Sequence, residues 1–143
     1  MTANRIRPLV LGGVALLVLA TLPFVGCSDD DTNAIFNPVF EPIVSNHVDN
    51  FEFQVNGAEK VTQTLSYPWR NTGDQAVIDQ SANLTEGTAT VSLRDSTGAL
   101  LYSKNLAEAG TFDSDPGLAG GWAIRLDMSG VSGRFNFRIR KKS

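Results

Sequence analysis

One cysteine, one histidine, two short acidic clusters and a pair of aromatic side chains beside a proline are the groups in this chain with chemistry to offer. Cys27 ends an apolar run as Phe24-Val25-Gly26-Cys27. With no second cysteine, it has no intrachain disulfide partner. His47 is the sole histidine. Nucleophilic catalysis of the Ser-His-Asp type needs an imidazole held in place by an orienting acid, whereas a lone histidine at the margin of a domain reads as solvated. No His/Cys cluster has zinc-ligand spacing, and no glycine-rich loop has the phosphate-cradling pattern. The chain therefore calls for no cofactor and no catalytic residue. Asp29-Asp30-Asp31 and Asp113-Ser114-Asp115 offer oxygens to calcium, but calcium takes roughly six to eight of them from a shaped loop. The plain reading is two solvated acidic loops and no metal site. Tyr67 and Trp69 flank Pro68 near a turn. They are the candidate ligand contacts, with Trp69 as an exposed face on which a sugar ring could stack.

The segment leading to Cys27 has three zones. Residues 1–8 carry Arg5 and Arg7 and no acid, residues 9–25 are apolar apart from Thr21, and Gly26 gives a small residue before the thiol. A basic start, an apolar core and a small-residue exit make a secretory signal. The run is near the short limit of roughly 17 residues for a membrane span, and Pro23 sits within its exit end. Val25-Gly26-Cys27 resembles the lipobox of bacterial lipoproteins, although Phe24 stands where that family usually has leucine. The resemblance implies that residues 1–26 are a cleaved signal peptide. It also implies that the Cys27 sulfur carries diacylglycerol and its new amine a further acyl chain such as palmitate. Two or more chains anchor a protein stably. Ser28, rather than aspartate, follows the cysteine; by the same resemblance, a cell with two membranes would deliver the protein to the outer one.

After residue 26, 10 basic and 15 acidic side chains remain, a net charge of -5 over 117 residues. That balance argues against a nucleic-acid partner, which usually meets a basic domain. The length suits one modest domain. Residues 27–48 read as a lipidated cysteine and tether, with Asn37-Pro38 and Glu41-Pro42 favouring extended backbone. Ile35, Phe36, Val39, Phe40, Ile43 and Val44 are too apolar for a solvated spacer and predict packing against the domain itself.

Residues 49–143 carry a period of two. Phe51, Phe53 and Val55 alternate with polar residues, as do Val61, Leu65 and Tyr67, then Ala89, Val91 and Leu93. Asn56-Gly57 suggests a hairpin, whose register needs an odd loop pairing Phe53 with Val61 unless the two runs belong to different sheets. Asp95-Ser96-Thr97-Gly98 is a strong turn signal, with Leu100, Tyr102 and Leu106 on the return. A short apolar piece surrounds Phe112. Trp122, Ile124, Leu126 and Met128 form one apolar face and Phe135, Phe137 and Ile139 another, joined by Ser129-Gly130-Val131-Ser132-Gly133. Read as a hairpin, these pair Met128 with Phe135, Leu126 with Phe137 and Ile124 with Ile139, with Trp122 in the core. No amphipathic helix appears after the signal. The expectation is an all-β, antiparallel β-sandwich of seven or eight short strands. The ending from Gly121-Trp122 to Phe135-Asn136-Phe137 resembles the last hairpin of pre-peptidase C-terminal domains over about 20 residues, which supports the fold and transfers no site.

The hairpin register also stacks Arg125 against Arg138 and sets Arg134 and Arg140 on the same outer face, extended by Lys141-Lys142. Such a basic stripe on an acidic protein is a candidate contact for an anionic surface. The sequence thus predicts a non-enzymatic, lipid-anchored protein of the bacterial cell envelope with a binding or interaction module. Its expected partners are the membrane, through the anchor, and envelope polysaccharide or another envelope protein. A structural lipoprotein and a minor hydrolase are the alternatives.

Overall fold

The structure, a computed structural model, describes residues 40–143. The signal region, Cys27, Asp29-Asp30-Asp31 and the apolar Ile35, Phe36 and Val39 lie outside the described residues.

The described chain is all-β and antiparallel. Six strands follow one another: β1 (Ile43–His47), β2 (Asn50–Asn71), β3 (Ala76–Arg94), β4 (Leu100–Asn105), β5 (Gly110–Asp113) and β6 (Gly120–Lys141). They lie in the order β1-β2-β6-β3-β4, with β5 also paired to β3. No described helix is long and apolar enough to cross a membrane.

Three strands are far longer than the alternation of the sequence suggests, and each bends back on itself. Phe51 and Tyr67 both belong to β2; a straight strand would hold them about 50 Å apart at about 3.3 Å per residue. Their ring centroids are 5.4 Å apart. The three-stranded ribbon β2-β6-β3 is therefore folded across its middle into a sandwich of two layers. The first layer takes β1, the first halves of β2 and β3, the second half of β6, and β5. The second layer takes the second halves of β2 and β3, the first half of β6, and β4.

Bulges make the bend. The β2–β6 register shifts between Val55 and Gln63, and the β3–β6 register between Leu84 and Thr88. A bulge adds an unpaired residue and sharpens local twist. Gly87 has φ +74°, and a Cβ there would collide with the backbone of Ser129 and Gly130. Gly133 has φ +126° and passes equally close to the carbonyl of Asn83. Both positions demand glycine on two counts: conformation and space.

This geometry corrects the inferred hairpin at Ser129–Gly133 and decides the alternative left open at Asn56-Gly57, whose two flanking runs lie in different layers. Asn56-Gly57 and Ser129–Gly133 are bends within β2 and β6, so Phe53 lies opposite Phe137 rather than Val61. Met128 lies between Gln63 and Ala89, and Phe135 between Val55 and Ala82. The apolar parity of β6 changes from even at Trp122–Met128 to odd at Phe135–Ile139. An even hairpin loop and a bulged bend produce that same change, and both use glycine. The Asp95–Gly98 turn does form, with the Gly98 amide donating to the Asp95 carbonyl at 2.9 Å. The ordered sheet begins before the expected boundary at residue 48. Residues 43–47 form the edge strand β1, and Phe40 already packs on the core.

Between the layers, Phe53 stacks on Phe137 at 5.1 Å, and Tyr67 packs on both Phe51 and Phe53 from the facing layer. Trp69 and Trp122 meet edge to face at 5.8 Å near the open end. Trp122 is 2% exposed, in line with its parity. Burying aromatic side chains of this size contributes much of a domain's hydrophobic stabilisation.

Candidate functional site

Trp69 is the principal correction at residue level. It is 2% exposed, and its indole N–H donates to the His47 carbonyl at 3.1 Å. Its odd parity places it beside Phe51, Phe53 and Tyr67 on the core-facing side of β2. Pro68 lies on the outward face instead, opposite Ala123. Tyr67 is half-buried in the same aromatic group, which raises its phenol pKa through desolvation. The expected aromatic platform is thus interior packing. The His47 side chain is exposed at the end of β1. Its neighbouring backbone, rather than its ring, does the structural job.

The basic stripe is also rearranged. Arg125 belongs to the second layer, while Arg134, Arg138 and Arg140 belong to the first. Arg125 forms a bidentate pair with Asp127, with its Nε 2.8 Å from Oδ2. Arg138 pairs with Glu52 at 2.8 Å, and Arg140 pairs with Asp79. Lys141 reaches Asp49 and Lys142 reaches Asp113. Asp127 lies in β6 itself, two residues from Arg125, whereas Glu52, Asp79 and Asp113 come from β2, β3 and β5 and Asp49 from just before β2, which no local reading of β6 could place. Of the four arginines, only Arg134 has no ion-pair partner among the described residues.

Three shallow depressions follow one another across the outer face of the first layer. The central one has a volume of about 370 Å³ and is bordered by Ser45, Glu52, Gln54, Asp79, Asn136 and Arg138. Strand register builds this face row by row. Ser45, Glu52, Arg138, Asp79 and Thr111 form one row across five strands. Ile43, Gln54, Asn136 and Ser81 form the next. Arg134 and Asn83 stand opposite each other beyond it, beside Asn56. All phenylalanines of these strands point inward.

The charged row neutralises itself. Glu52 and Asp79 flank Arg138, and both carboxylates are bound by guanidinium groups. The Thr111 hydroxyl donates to Asp79 at 2.6 Å and, with Arg140, holds its pKa below the usual carboxylate range. A carboxylate stabilised in its charged form is a poor general acid at neutral pH. Asp113 binds Lys142, and Ser114 is buried with its hydroxyl accepting from the Ala76 amide. In the Asp113-Ser114-Asp115 cluster only the serine is turned inward, and both acids are exposed.

No protein-family model matches the sequence, and no curated protein is similar to it. Among solved structures, the chain is similar to one from accessory secretory proteins 1, 2 and 3 of Streptococcus pneumoniae. That similarity is at 12% identity over 76% of this chain and 90% of the other, with a TM-score of 0.35. It is likewise similar to a chain from a structural study of CBM4, at 12% identity over 71% and 78% of the two chains, with a TM-score of 0.36. Likeness of this extent carries neither ligand nor activity across.

Proposed function

We propose that the protein is a lipid-anchored, non-enzymatic component of the bacterial cell envelope whose β-sandwich is a binding module. The observation that carries the binding part is the outer face of the first layer. It is broad, polar and indented by connected shallow depressions, and it is formed by strands that the core holds rigidly. Sites on strands hold their side chains more precisely than sites on loops. The non-enzymatic part is supported by carboxylates on that face that are tied to guanidinium groups. The anchor rests on the Val25-Gly26-Cys27 motif at the end of the apolar run. It attaches the protein to a membrane, the outer one where a cell has two, with envelope polysaccharide or a second envelope protein as the partner.

The test combines labelling with fractionation. Radiolabelled palmitate is expected in the wild-type chain and absent from Cys27→Ser, which accumulates as precursor. The full chain in detergent is expected to sediment with lipid-extracted envelope material. Equal label in the variant would refute the anchor, and a failure to sediment would refute the binding module.

A further inference from the structure

We propose that the amide-rich end of the first-layer face binds an uncharged glycan through hydrogen bonds alone. This rests on the binding-module reading and names its ligand class. The residues are Gln54, Asn56, Ser81, Asn83, Arg134 and Asn136, which together line one depression.

Residue choice is the first argument. Asparagine is depleted in strands. Yet Asn56, Asn83 and Asn136 sit within β2, β3 and β6, exposed and side by side. The outer face of the second layer provides an internal comparison. Its equivalent rows are Thr64-Asp127-Thr90-Asn105 and Ser66-Arg125-Ser92-Ser103. The two strand-disfavoured residues there are both engaged, Asp127 by Arg125 and Asn105 by the Ala107 amide, whereas Asn83 and Asn136 make no side-chain bond within the described residues. Departures from a local rule concentrate at functional sites.

Unused hydrogen-bonding capacity is the second argument. Asn46, Asn71, Gln75, Gln80 and Asn105 each bond a backbone group and are accounted for by the fold. In the amide-rich group, the bond from Gln54 to Asn56 is the only internal side-chain bond among the described residues. A carboxamide offers two donors and an acceptor oxygen, and a guanidinium offers a planar fork of donors. That mixture matches the hydroxyls of a sugar, each a donor and an acceptor at once.

Charge and shape select the class. Arg138 and Arg140 are neutralised in place, which leaves Arg134 as the one arginine of this face without an ion-pair partner among the described residues, a far weaker field than a run of free cations offers an anionic polymer. It also lacks the aromatic anchors on which protein interfaces usually turn. The depressions run on across neighbouring rows, which suits an extended polymer more than a single small molecule.

Affinity electrophoresis of the full chain in detergent tests this, using gels containing dextran, mannan, galactan or a soluble β-glucan, with alginate as the anionic comparison. Retardation by at least one neutral polymer is expected. The double variant Asn83→Thr/Asn136→Thr is expected to lose that retardation at least tenfold. Its urea midpoint should stay level or rise, because threonine favours strands. A neutral-polymer affinity that survives in the folded double variant would overturn the site. Retardation by alginate alone would overturn the ligand class and leave the binding module standing. No retardation by any polymer, in a chain that still sediments with envelope material, would point to a protein partner and overturn the glycan.

Discussion

A single carboxylate holds the β3–β4 turn together. Asp95 is 7% exposed, and it accepts hydrogen bonds from the Thr97 amide and hydroxyl, the Ala99 amide and the Leu118 amide. The Thr97 hydroxyl is the largest cause of its lowered pKa, followed by the Leu118 amide, and together the donors bring it from 3.8 to about 2. A folded-state pKa below the unfolded value adds stability above the unfolded pKa. That stability is lost as pH falls through the folded one. Asp49, Asp79 and Asp127 are shifted in the same direction. Urea midpoints should therefore fall between about pH 4 and pH 2. Asp95→Asn should lower the midpoint at pH 7 and flatten that decline, because an amide turns donors toward donors. A midpoint at pH 7 equal to that of the wild type would contradict this account. At this scale the sequence was readable where partners are local. Asp95 and Gly98 announce their turn within four residues, and Trp122 announces its face by parity. Trp69 was misread because its proline neighbour suggested a turn. Its parity with Tyr67 already points inward, while the partners that cover it, β1 and Trp122, are remote in the chain.

The bend is the element on which the layers depend. Gly87 lies where β3 crosses the backbone of β6, at a positive φ and with no room for a side chain. Gly87→Ala should destabilise by more than about 1 kcal/mol, beyond the ordinary gain from removing a glycine. Denaturant midpoints against Gly57→Ala, where space is open, would isolate the steric part. Equal midpoints would mean the bend tolerates separation of its strands. Alternation correctly indicated which residues face the core and that the class is an antiparallel sandwich. Strand length was not legible. A bulge and a hairpin loop present the same glycines and the same change of parity, and they differ only in which distant strand lies opposite. Without β2 and β3 in register on either side, β6 reads as two strands. The cations of β6 then read as a stripe, and apart from Asp127 the acids that close the ion pairs stay hidden. The amide-rich face was missed for the same reason: its members lie in three strands, and only register makes them neighbours.

At the scale of the molecule, the two longest ladders are remote pairings: Asn50 meets Arg140, and Ala76 meets Lys141. Domains dominated by non-local strand pairing fold on the order of milliseconds to seconds. Stopped-flow refolding followed by fluorescence of the buried Trp69 and Trp122 should fall in that range. Full signal recovery within microseconds would show that the two layers assemble from local structure. The way the chain enters the sheet has a further, mechanical consequence. Tension from upstream meets Phe40, packed on the core, and then β1, an edge strand bonded along one side to β2. β1 begins at Ile43, opposite Gln54 at the bend end, and a pull can act along the strand or across it. A pull along the strand loads the whole five-residue ladder in shear, so its hydrogen bonds resist together. A sideways pull peels them one at a time from Ile43. Asn46 and the His47 carbonyl fasten the far end of β1 to Pro68 and Trp69 in the other layer. Under force, β1 is a fuse: it can part from β2 at one end while the last pins and the folded ribbon behind them still hold.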